Sequence, residues 1–176
     1  MILDRLFRPR PAKAAGAALY ARAVEQSRLP TLYADFGAPD TVEGRFEIYT
    51  LHVVLLLDRL RREGEGTGVV SQALFDTYVK ALDHALREMG VGDLSVGKKM
   101  RRLGEAFYGP GKSYDAAFAP LPDTAALEAL LIRTVYADAA HPRLHDLTAY
   151  VLAQRAALSA QPIEALLAGE VTWGAA

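Results

Sequence analysis

The most informative stretch of this 176-residue chain reads LREMGVGDLSVGKK and runs from Leu86 to Lys99. The pattern ends one amphipathic helix, turns on two glycines and begins a second helix with a block of positive charge. Gly90 is well placed as the left-handed residue that closes a helix. We therefore predict a helix–turn–helix unit in which Gly90 and Gly92 are structural turn residues that fix the angle between the two helices.

Apolar residues recur at helical spacing on both sides of this turn. The upstream helix is predicted to begin with a cap at Ser71 and to end near Met89. Its apolar positions are Leu74, Tyr78, Leu82, Ala85, Leu86 and Met89. The downstream positions are Val96, Met100, Leu103 and Phe107. Such stripes predict helices that pack one face against a core.

Prolines and glycines divide the rest of the chain into further helices. Pro9 and Pro11 are expected to break any early helix, because proline has no amide proton to donate. The first helix is therefore predicted at residues 13–28. Asp40 is expected to cap a second helix that runs to about Arg62. Later helical segments are predicted at residues 113–118, from about 124 to 139, after Pro142 as its first-turn residue, and at 162–167.

No segment shows the alternation of polar and apolar residues that is typical of a β-hairpin. The predicted fold class is all-α, as a single-domain bundle of about six to seven helices. Residues 1–12 are expected to form a flexible or interfacial N-terminal segment. Residues 13–167 are expected to form the helical domain, and residues 168–176 a C-terminal tail.

Composition excludes several classes of function. The chain has no cysteine, which rules out disulfides, thiolate metal sites and cysteine nucleophiles. Its net charge of −1 gives no general attraction to nucleic acid, so no DNA partner is expected. No apolar run is long enough to span a bilayer as a helix, and the N-terminus lacks the apolar region of a secretory signal. These features predict a cytoplasmic protein.

The sequence matches no catalytic or cofactor-binding template, so no catalytic residue, metal ligand or cofactor is predicted. His141 and His145 are four residues apart and would suit paired ligands on one helical face. Two polar residues at a helix start are the favoured interpretation. His52 lies within an apolar helix and is predicted to be a hydrogen-bonded core histidine. Asp83 and His84 are adjacent and do not face each other on a helix, so a catalytic dyad is not expected there.

A basic block crowds the first turns of the helix after the glycine turn. It consists of Lys98, Lys99, Arg101 and Arg102. Positive charge at a helix N-terminus opposes the helix dipole and costs roughly 0.3–1 kcal/mol per charge. One interpretation is a patch that meets ribosomal RNA, lipid head groups or an acidic protein face. The other is a solvated helix face, and the residues alone leave both open.

Three motifs together resemble the ubiquinol–cytochrome c reductase assembly chaperone family. The first is PDTxxGRFE at residues 39–47, and it continues through Leu51-His52 to Arg59-Leu60. The second and most specific is Asp83 followed by the run from Leu86 to Lys98, and the third is the tripeptide FYG at residues 107–109. Pro110 departs from the arginine that is usual there in the family. The resemblance extends from about Leu32 to the last long helix.

The resemblance implies an all-helical, non-catalytic assembly chaperone that binds newly made cytochrome b and promotes biogenesis of the ubiquinol–cytochrome c reductase (bc1) complex. The implied partners are cytochrome b apoprotein, the ribosome or an anionic membrane surface, and a small partner subunit. The implied location is the cytoplasm, peripheral to the cytoplasmic face of the inner membrane. The alternative is a general ribosome- or RNA-binding helical module, whose binding would weaken steeply with salt. The residues expected to bind the client or partner are Arg87, Glu88, Asp93, Lys98, Lys99, Arg101, Arg102, Phe107 and Tyr108.

Overall fold

Helices account for the regular structure throughout the part of the chain that the computed structural model describes, which is residues 9–88, 113–137 and 140–175. Eight α-helices lie there, and none of these residues is in a strand. In chain order they are α1 (Pro9–Gln26), α2 (Pro30–Ala34), α3 (Val42–Arg62), α4 (Gly68–Glu88), α5 (Ser113–Phe118), α6 (Ala125–Thr134), α7 (Leu144–Ser159) and α8 (Ile163–Leu167). A 3₁₀ turn, Glu65–Thr67, joins α3 to α4. The predicted all-α, single-domain bundle is confirmed.

Helix α3 lies at the centre of the core. Every residue from Thr50 to Leu60 is buried, as expected of a helix that is covered on all sides. The Thr41 side chain caps its start by accepting a hydrogen bond from the Gly44 amide at 3.1 Å. Glu43 in the first turn and three arginines in the last turn complement the helix dipole. The local sequence therefore favours both ends of the helix that organises the fold.

Two layers of helices cover α3. On one side α1 and α4 pack against α3 and against each other. A Cβ atom at Gly16 would lie 2.6 Å from backbone atoms of Ala73 and Leu74, so glycine allows α1 and α4 to approach closely. Helix α7 packs against α3, with α6 on α7 and α5 on α6. Helix α8 returns the chain to α1.

The segment after α8 lies along the bundle and is held by two glutamines. Gln161 forms two 2.8 Å hydrogen bonds with the backbone of Thr172, one as donor and one as acceptor. Gln154 accepts from the Gly174 amide at 2.8 Å and donates to the Gly174 carbonyl at 3.1 Å. Trp173 Nε1 donates to the carbonyl of Arg22 on α1 at 3.2 Å. The amide side chains thus pair with an extended backbone as a neighbouring strand would.

Three predicted helix starts were wrong. Helix α1 begins at Pro9 and includes Pro11, because a proline in the first turn lacks only an amide proton that has no partner there. Thr41 caps α3, whereas Asp40 forms an ion pair with Arg45. Ser71 lies inside α4, and its hydroxyl is buried without a hydrogen-bond partner.

Three further details differ from the prediction. Helix α6 ends at Thr134, before Ala137, which has a positive φ of 51° that an α-helix does not accommodate. Pro142 lies in the turn before α7 and not in its first turn. Ala85, predicted as part of an apolar stripe, is exposed on α4.

Candidate partner-binding site

Two of the predicted binding residues, Arg87 and Glu88, lie in the described part of the chain. Both are exposed at the end of α4. The remaining predicted site residues, and the turn glycines, lie outside the described residues: Gly90, Gly92, Asp93, Lys98, Lys99, Arg101, Arg102, Phe107 and Tyr108. Their roles stay predictions.

The end of α4 carries two pairs of oppositely charged side chains, and the members of each pair are one helical turn apart. Arg87 Nε lies 2.9 Å from Asp83 Oδ2, and His84 Nδ1 lies 3.5 Å from Glu88 Oε2. These are i,i+4 pairs on an exposed face, which contribute a few tenths of a kcal/mol at most. Asp83 and His84 therefore have different partners and form no dyad. The pairs keep Arg87 and Glu88 in solvent, where a partner can reach them.

The segment from Pro39 to Glu47 forms the turn into α3. A Cβ atom at Gly44 would lie 2.0 Å from the Pro39 carbonyl oxygen, so the tight approach requires glycine. The guanidinium of Arg45 pairs with Asp40 and lies 5.0 Å from the centre of the Tyr33 ring, a cation–π distance. Glu47 follows Gly44 by about one helical turn on α3.

Glu47 is half-buried and has no ion-pair or hydrogen-bond partner among the described residues. Burial alone raises the pKa of its carboxyl from 4.5 to about 7, because desolvation disfavours the charged form. A half-buried carboxylate with no compensating cation is costly to a fold. It is therefore an unusual group to find on the central helix.

Two tyrosines from neighbouring helices are near enough for the Glu47 charge to act on them. The Tyr78 hydroxyl of α4 is hydrogen-bonded to the Thr50 hydroxyl at 2.8 Å, and Thr50 follows Glu47 by three residues on the same face of α3. Tyr114 of α5 is only 8% exposed. The charge of Glu47 helps to raise the pKa of both tyrosines. We call Glu47, Thr50, Tyr78 and Tyr114 the Glu47 cluster.

The Tyr114 hydroxyl is buried and makes no hydrogen bond within the described residues. The Thr134 hydroxyl is near enough to lower the pKa of Tyr114, but it donates its proton to the carbonyl of Leu130 at 2.9 Å. The nearby Tyr49 hydroxyl is also buried without a partner. Two buried tyrosine hydroxyls near the start of α3 are therefore without a hydrogen-bond partner in the described part of the chain.

A second buried polar group on α3 has all its partners. His52 is fully buried, and its Nδ1 lies 2.8 Å from the carbonyl of Ile48. A carbonyl can only accept, so Nδ1 carries the proton and Nε2 accepts from the Tyr150 hydroxyl at 2.7 Å. That hydroxyl accepts in turn from Gln26 at 3.0 Å. The predicted hydrogen-bonded core histidine is confirmed, and we call His52, Tyr150 and Gln26 the His52 cluster.

The other two histidines considered from the sequence do not pair with each other. His141 lies before α7 and stacks on Tyr136, with ring centres 4.4 Å apart and planes 4° apart. His145 lies 3.2 Å from Glu128 of α6. The favoured interpretation of two polar residues near a helix start agrees with this arrangement. Among the described residues, no group of three or more His, Cys, Asp or Glu side chains could hold a metal ion.

Sequence reasoning missed the Glu47 cluster as a site. Glu47 was considered only as part of the PDTxxGRFE motif. An acid between the inward residues Phe46 and Ile48 is nevertheless a signal of a buried charge. Tyr78 was predicted only as part of the apolar stripe of α4. Tyr114 lies in a short segment near a helix end, and the sequence does not indicate which residues it contacts. In the part of the chain that the structure describes, no helix is both long and apolar enough to cross a membrane.

The fold defines the class of protein. This chain has the fold of the crystal structure of the Cbp3 homolog from Brucella abortus, with a TM-score of 0.84 and 37% sequence identity over 99% of this chain and 97% of that one. The chain belongs to the ubiquinol-cytochrome C chaperone family, whose model matches residues 34–173. The match continues past the last long helix, where the predicted resemblance stopped, and reaches Trp173.

Vertebrate relatives match over most of this chain. It is 30% identical over 164 residues to mouse and to human ubiquinol-cytochrome c reductase complex assembly factor 1, and 27% identical to the Xenopus laevis protein. Each alignment covers 92% of this chain. It covers 81% of the Xenopus protein but only 55% and 54% of the mouse and human proteins. The chain therefore spans about half the length of the two mammalian relatives.

Proposed function

We propose that this chain is a non-catalytic chaperone that binds newly made cytochrome b and promotes assembly of the ubiquinol–cytochrome c reductase complex. The observation that supports this most directly is the match to the ubiquinol-cytochrome C chaperone family over residues 34–173. The named assembly factors of mouse, frog and human point to the same complex. Cytochrome b is the client in this proposal, which is more specific than those names.

The chemistry of the described residues supports binding in preference to catalysis. The buried histidine is held neutral by burial, which lowers its pKa to about 4, and it is hydrogen-bonded on both nitrogens. The exposed His84 and His145 lie beside carboxylates, and the partly buried His141 stacks on a tyrosine. These side chains are occupied in holding the fold, which suits a protein whose work is recognition.

Partner binding is proposed at the end of α4 and the residues that follow it. Arg87 and Glu88 are exposed there, and Asp93, Phe107 and Tyr108 belong to the same proposed surface. The basic block (Lys98, Lys99, Arg101 and Arg102) is proposed to face an anionic membrane surface or the ribosome, which would hold the chaperone at the cytoplasmic face of the inner membrane. A small partner subunit is a further proposed ligand of this region.

Deletion of the gene, with complementation, tests the main proposal. We expect loss of cytochrome b and of ubiquinol–cytochrome c reductase activity in the deletion strain, with transcript levels unchanged. The intact chain should restore both, and affinity-tagged protein should co-purify with cytochrome b. Normal cytochrome b and normal enzyme activity in the deletion strain would refute the proposal.

Charge reversal tests the role of the basic block. Replacement of its four cations by glutamate should release the protein from anionic vesicles and reduce recovery of cytochrome b. The control reverses exposed cations elsewhere, Lys80 on α4 and Arg143 just before α7, which should leave vesicle binding as it is. If the reversed block behaves like this control, the block is a solvated helix face.

A further inference from the structure

The segment of residues 170–175 is hydrogen-bonded along one edge. Gln161 pairs with both the amide and the carbonyl of Thr172, and Gln154 pairs with both backbone groups of Gly174. In an antiparallel pair of strands, both backbone groups of every second residue are bonded to the neighbour in the same way. The segment is therefore extended, and α7, which carries the two glutamines, lies along its bonded edge.

The other edge of this extended segment is open. Backbone groups of successive residues in an extended chain point to opposite sides, so those of Val171 and Trp173 point away from α7. Their amides and carbonyls make no hydrogen bond within the described part of the chain. Valine, threonine and tryptophan, which occupy positions 171–173, are residues that favour strands. An extended backbone with unpaired groups along one edge is a template for pairing with another chain.

A groove lies between the extended segment and the C-terminal end of α1. Its volume is about 350 Å³, and its lining residues, none of which belongs to α7, are Arg22, Glu25, Gln26, Leu29, Val171, Thr172 and Trp173. Leu29, Val171 and Trp173 are partly buried against the core and supply apolar surface. The indole of Trp173 joins the two walls, because it donates to the Arg22 carbonyl at 3.2 Å. The groove is therefore on the side to which the open edge points.

The walls of the groove decide between two occupants. Helix α1 stands opposite the open edge, so a chain that pairs with this edge has to lie between the extended segment and a helix. A second copy of this protein could offer its own residues 170–175. Those residues are attached to α7 along their other edge, and that helix would have to take the place of α1. A single extended peptide has no such body behind it and fits between the walls.

We propose that this groove receives an extended peptide segment of a partner protein, which pairs as an added strand with the open edge of residues 170–175. The amides and carbonyls of Val171 and Trp173 bond to the peptide backbone, and an apolar side chain of the peptide lies against Leu29 and Trp173. In recognition of this kind the backbone bonds provide affinity, and the contacts of alternate side chains provide selectivity. The surface includes no residue of α4, and the proposal does not depend on cytochrome b as the client.

Amide hydrogen exchange, measured by NMR on the intact chain, is the first test. In the unbound protein the amides of Thr172 and Gly174 should exchange slowly and those of Val171 and Trp173 fast, because only the first two are hydrogen-bonded. Saturating acetyl-TVTLTV-amide, a peptide of alternating polar and apolar residues, should slow exchange at Val171 and Trp173 by about tenfold or more.

Two results of the exchange experiment would overturn the proposal. Slow exchange of all four amides without peptide would mean that this chain, or a second copy of it, already covers the open edge. Dependence of that slow exchange on protein concentration would identify the second copy. Exchange at Val171 and Trp173 that is the same with and without the peptide would show that no strand is added.

The fluorescence of Trp173, the only tryptophan of the chain, measures the affinity of the peptide. Titration should change its emission saturably. The same peptide with every backbone amide methylated keeps its side chains but has no backbone donors, so it should bind at least about tenfold more weakly. If the two peptides bind equally, side-chain contact alone accounts for binding, and strand addition is refuted.

A proline variant tests the open edge from the protein side. Val171→Pro removes an open-edge amide and no hydrogen bond of the unbound protein, and it should weaken peptide binding by about five- to tenfold. Val171→Ala, the matched control, keeps the amide and should bind more tightly than the proline variant. Slow exchange at Thr172 and Gly174 shows that the segment is still in place. With the segment in place, equal affinity of the two variants would refute the proposal; if proline displaces the segment, the methylated peptide decides.

Discussion

The two buried polar clusters of α3 differ in how their hydrogen bonds are satisfied. In the His52 cluster every donor meets an acceptor, from Gln26 through Tyr150 and His52 to the carbonyl of Ile48. In the Glu47 cluster a carboxylate and a tyrosine hydroxyl have no partner among the described residues. The clusters lie little more than one turn apart on the same helix, so the difference comes from the helices that face them.

Helix α7 supplies hydrogen-bond and ion-pair partners to the His52 cluster and to the C-terminal half of α3. Besides Tyr150 it contributes Arg155, which donates to the nearly buried Asp58 at 2.9 Å, and the carbonyl of Leu158, which accepts from Arg59 at 2.9 Å. Asp58 also lies 3.1 Å from Arg62. The C-terminal half of α3 is thus fastened to α7 by paired polar groups.

The comparison suggests that the two clusters of α3 have different roles. Paired buried groups stabilise a unique packing, whereas an unpaired one costs stability. The pH dependence of the two clusters should also be opposite. Burial lowers the pKa of His52 to about 4 but raises that of Glu47 to about 7.

The largest effect is expected at Asp58. Asp58→Ala removes the shared counter-ion of two arginines and leaves Arg155, which is 22% exposed, without it. Loss of one partner from a buried ion pair costs about 3 kcal/mol or more in the free energy of unfolding. Urea denaturation measures it. Asp76→Ala on the exposed face of α4 is the control and should cost under about 0.5 kcal/mol; similar losses in both would contradict the fastening role of α7.

The next largest effect is expected from removal of a tyrosine hydroxyl, which should change the free energy of unfolding differently in the two clusters. Tyr150→Phe takes the donor from His52 Nε2 and the acceptor from Gln26, which costs about 2 kcal/mol in the free energy of unfolding. Tyr114→Phe removes a buried hydroxyl that makes no hydrogen bond, so stability should stay the same or rise. Urea denaturation of both variants measures the difference. Equal losses would show that the Tyr114 hydroxyl is paired after all.

A smaller effect of the opposite sign is expected for Glu47→Gln. In the wild type the raised pKa of Glu47 means that the folded state binds more protons than the unfolded state between about pH 4.5 and 7, so stability from this group falls as pH rises through that window. Glutamine removes the penalty and should stabilise the free protein by about 1 kcal/mol at pH 8. At pH 4 the variant and the wild type should be equally stable.

The same variant should expose the contribution of His52. The unfolded state binds more protons than the folded state at His52 between about pH 4 and 6.5, so this group loses stability as pH falls. In the wild type the two slopes oppose each other where the windows overlap. In Glu47→Gln, stability should fall more steeply from pH 6.5 to 4.5, which thermal unfolding across pH measures. A parallel offset at every pH would contradict both assignments.

Local patterns predicted most of the helices, although not the short α2, and did not predict the clusters. Leu74 and Leu82 were predicted on the apolar stripe of α4 and are buried, since helical periodicity needs no knowledge of the partner. The choice between Asp40 and Thr41 as the cap was wrong by one residue, because adjacent polar side chains fit the same signal. His52 was correctly predicted as a hydrogen-bonded core residue, yet its partner Tyr150 is far along the chain. Which buried groups remain unpaired depends on such distant contacts.

The smallest effect on stability is expected at the end of α4. Arg87 is 54% exposed and pairs with Asp83 in solvent, so Arg87→Ala should change the free energy of unfolding by less than about 0.5 kcal/mol. Arg143→Ala, which breaks a comparable exposed pair with Asp146, is the matched control. If Arg87 belongs to the proposed partner-binding surface, recovery of cytochrome b in affinity purification should fall for Arg87→Ala and not for Arg143→Ala. A loss in binding without a loss in stability would identify a contact residue, because a structural role would lower both; unchanged recovery would leave the end of α4 outside the interface.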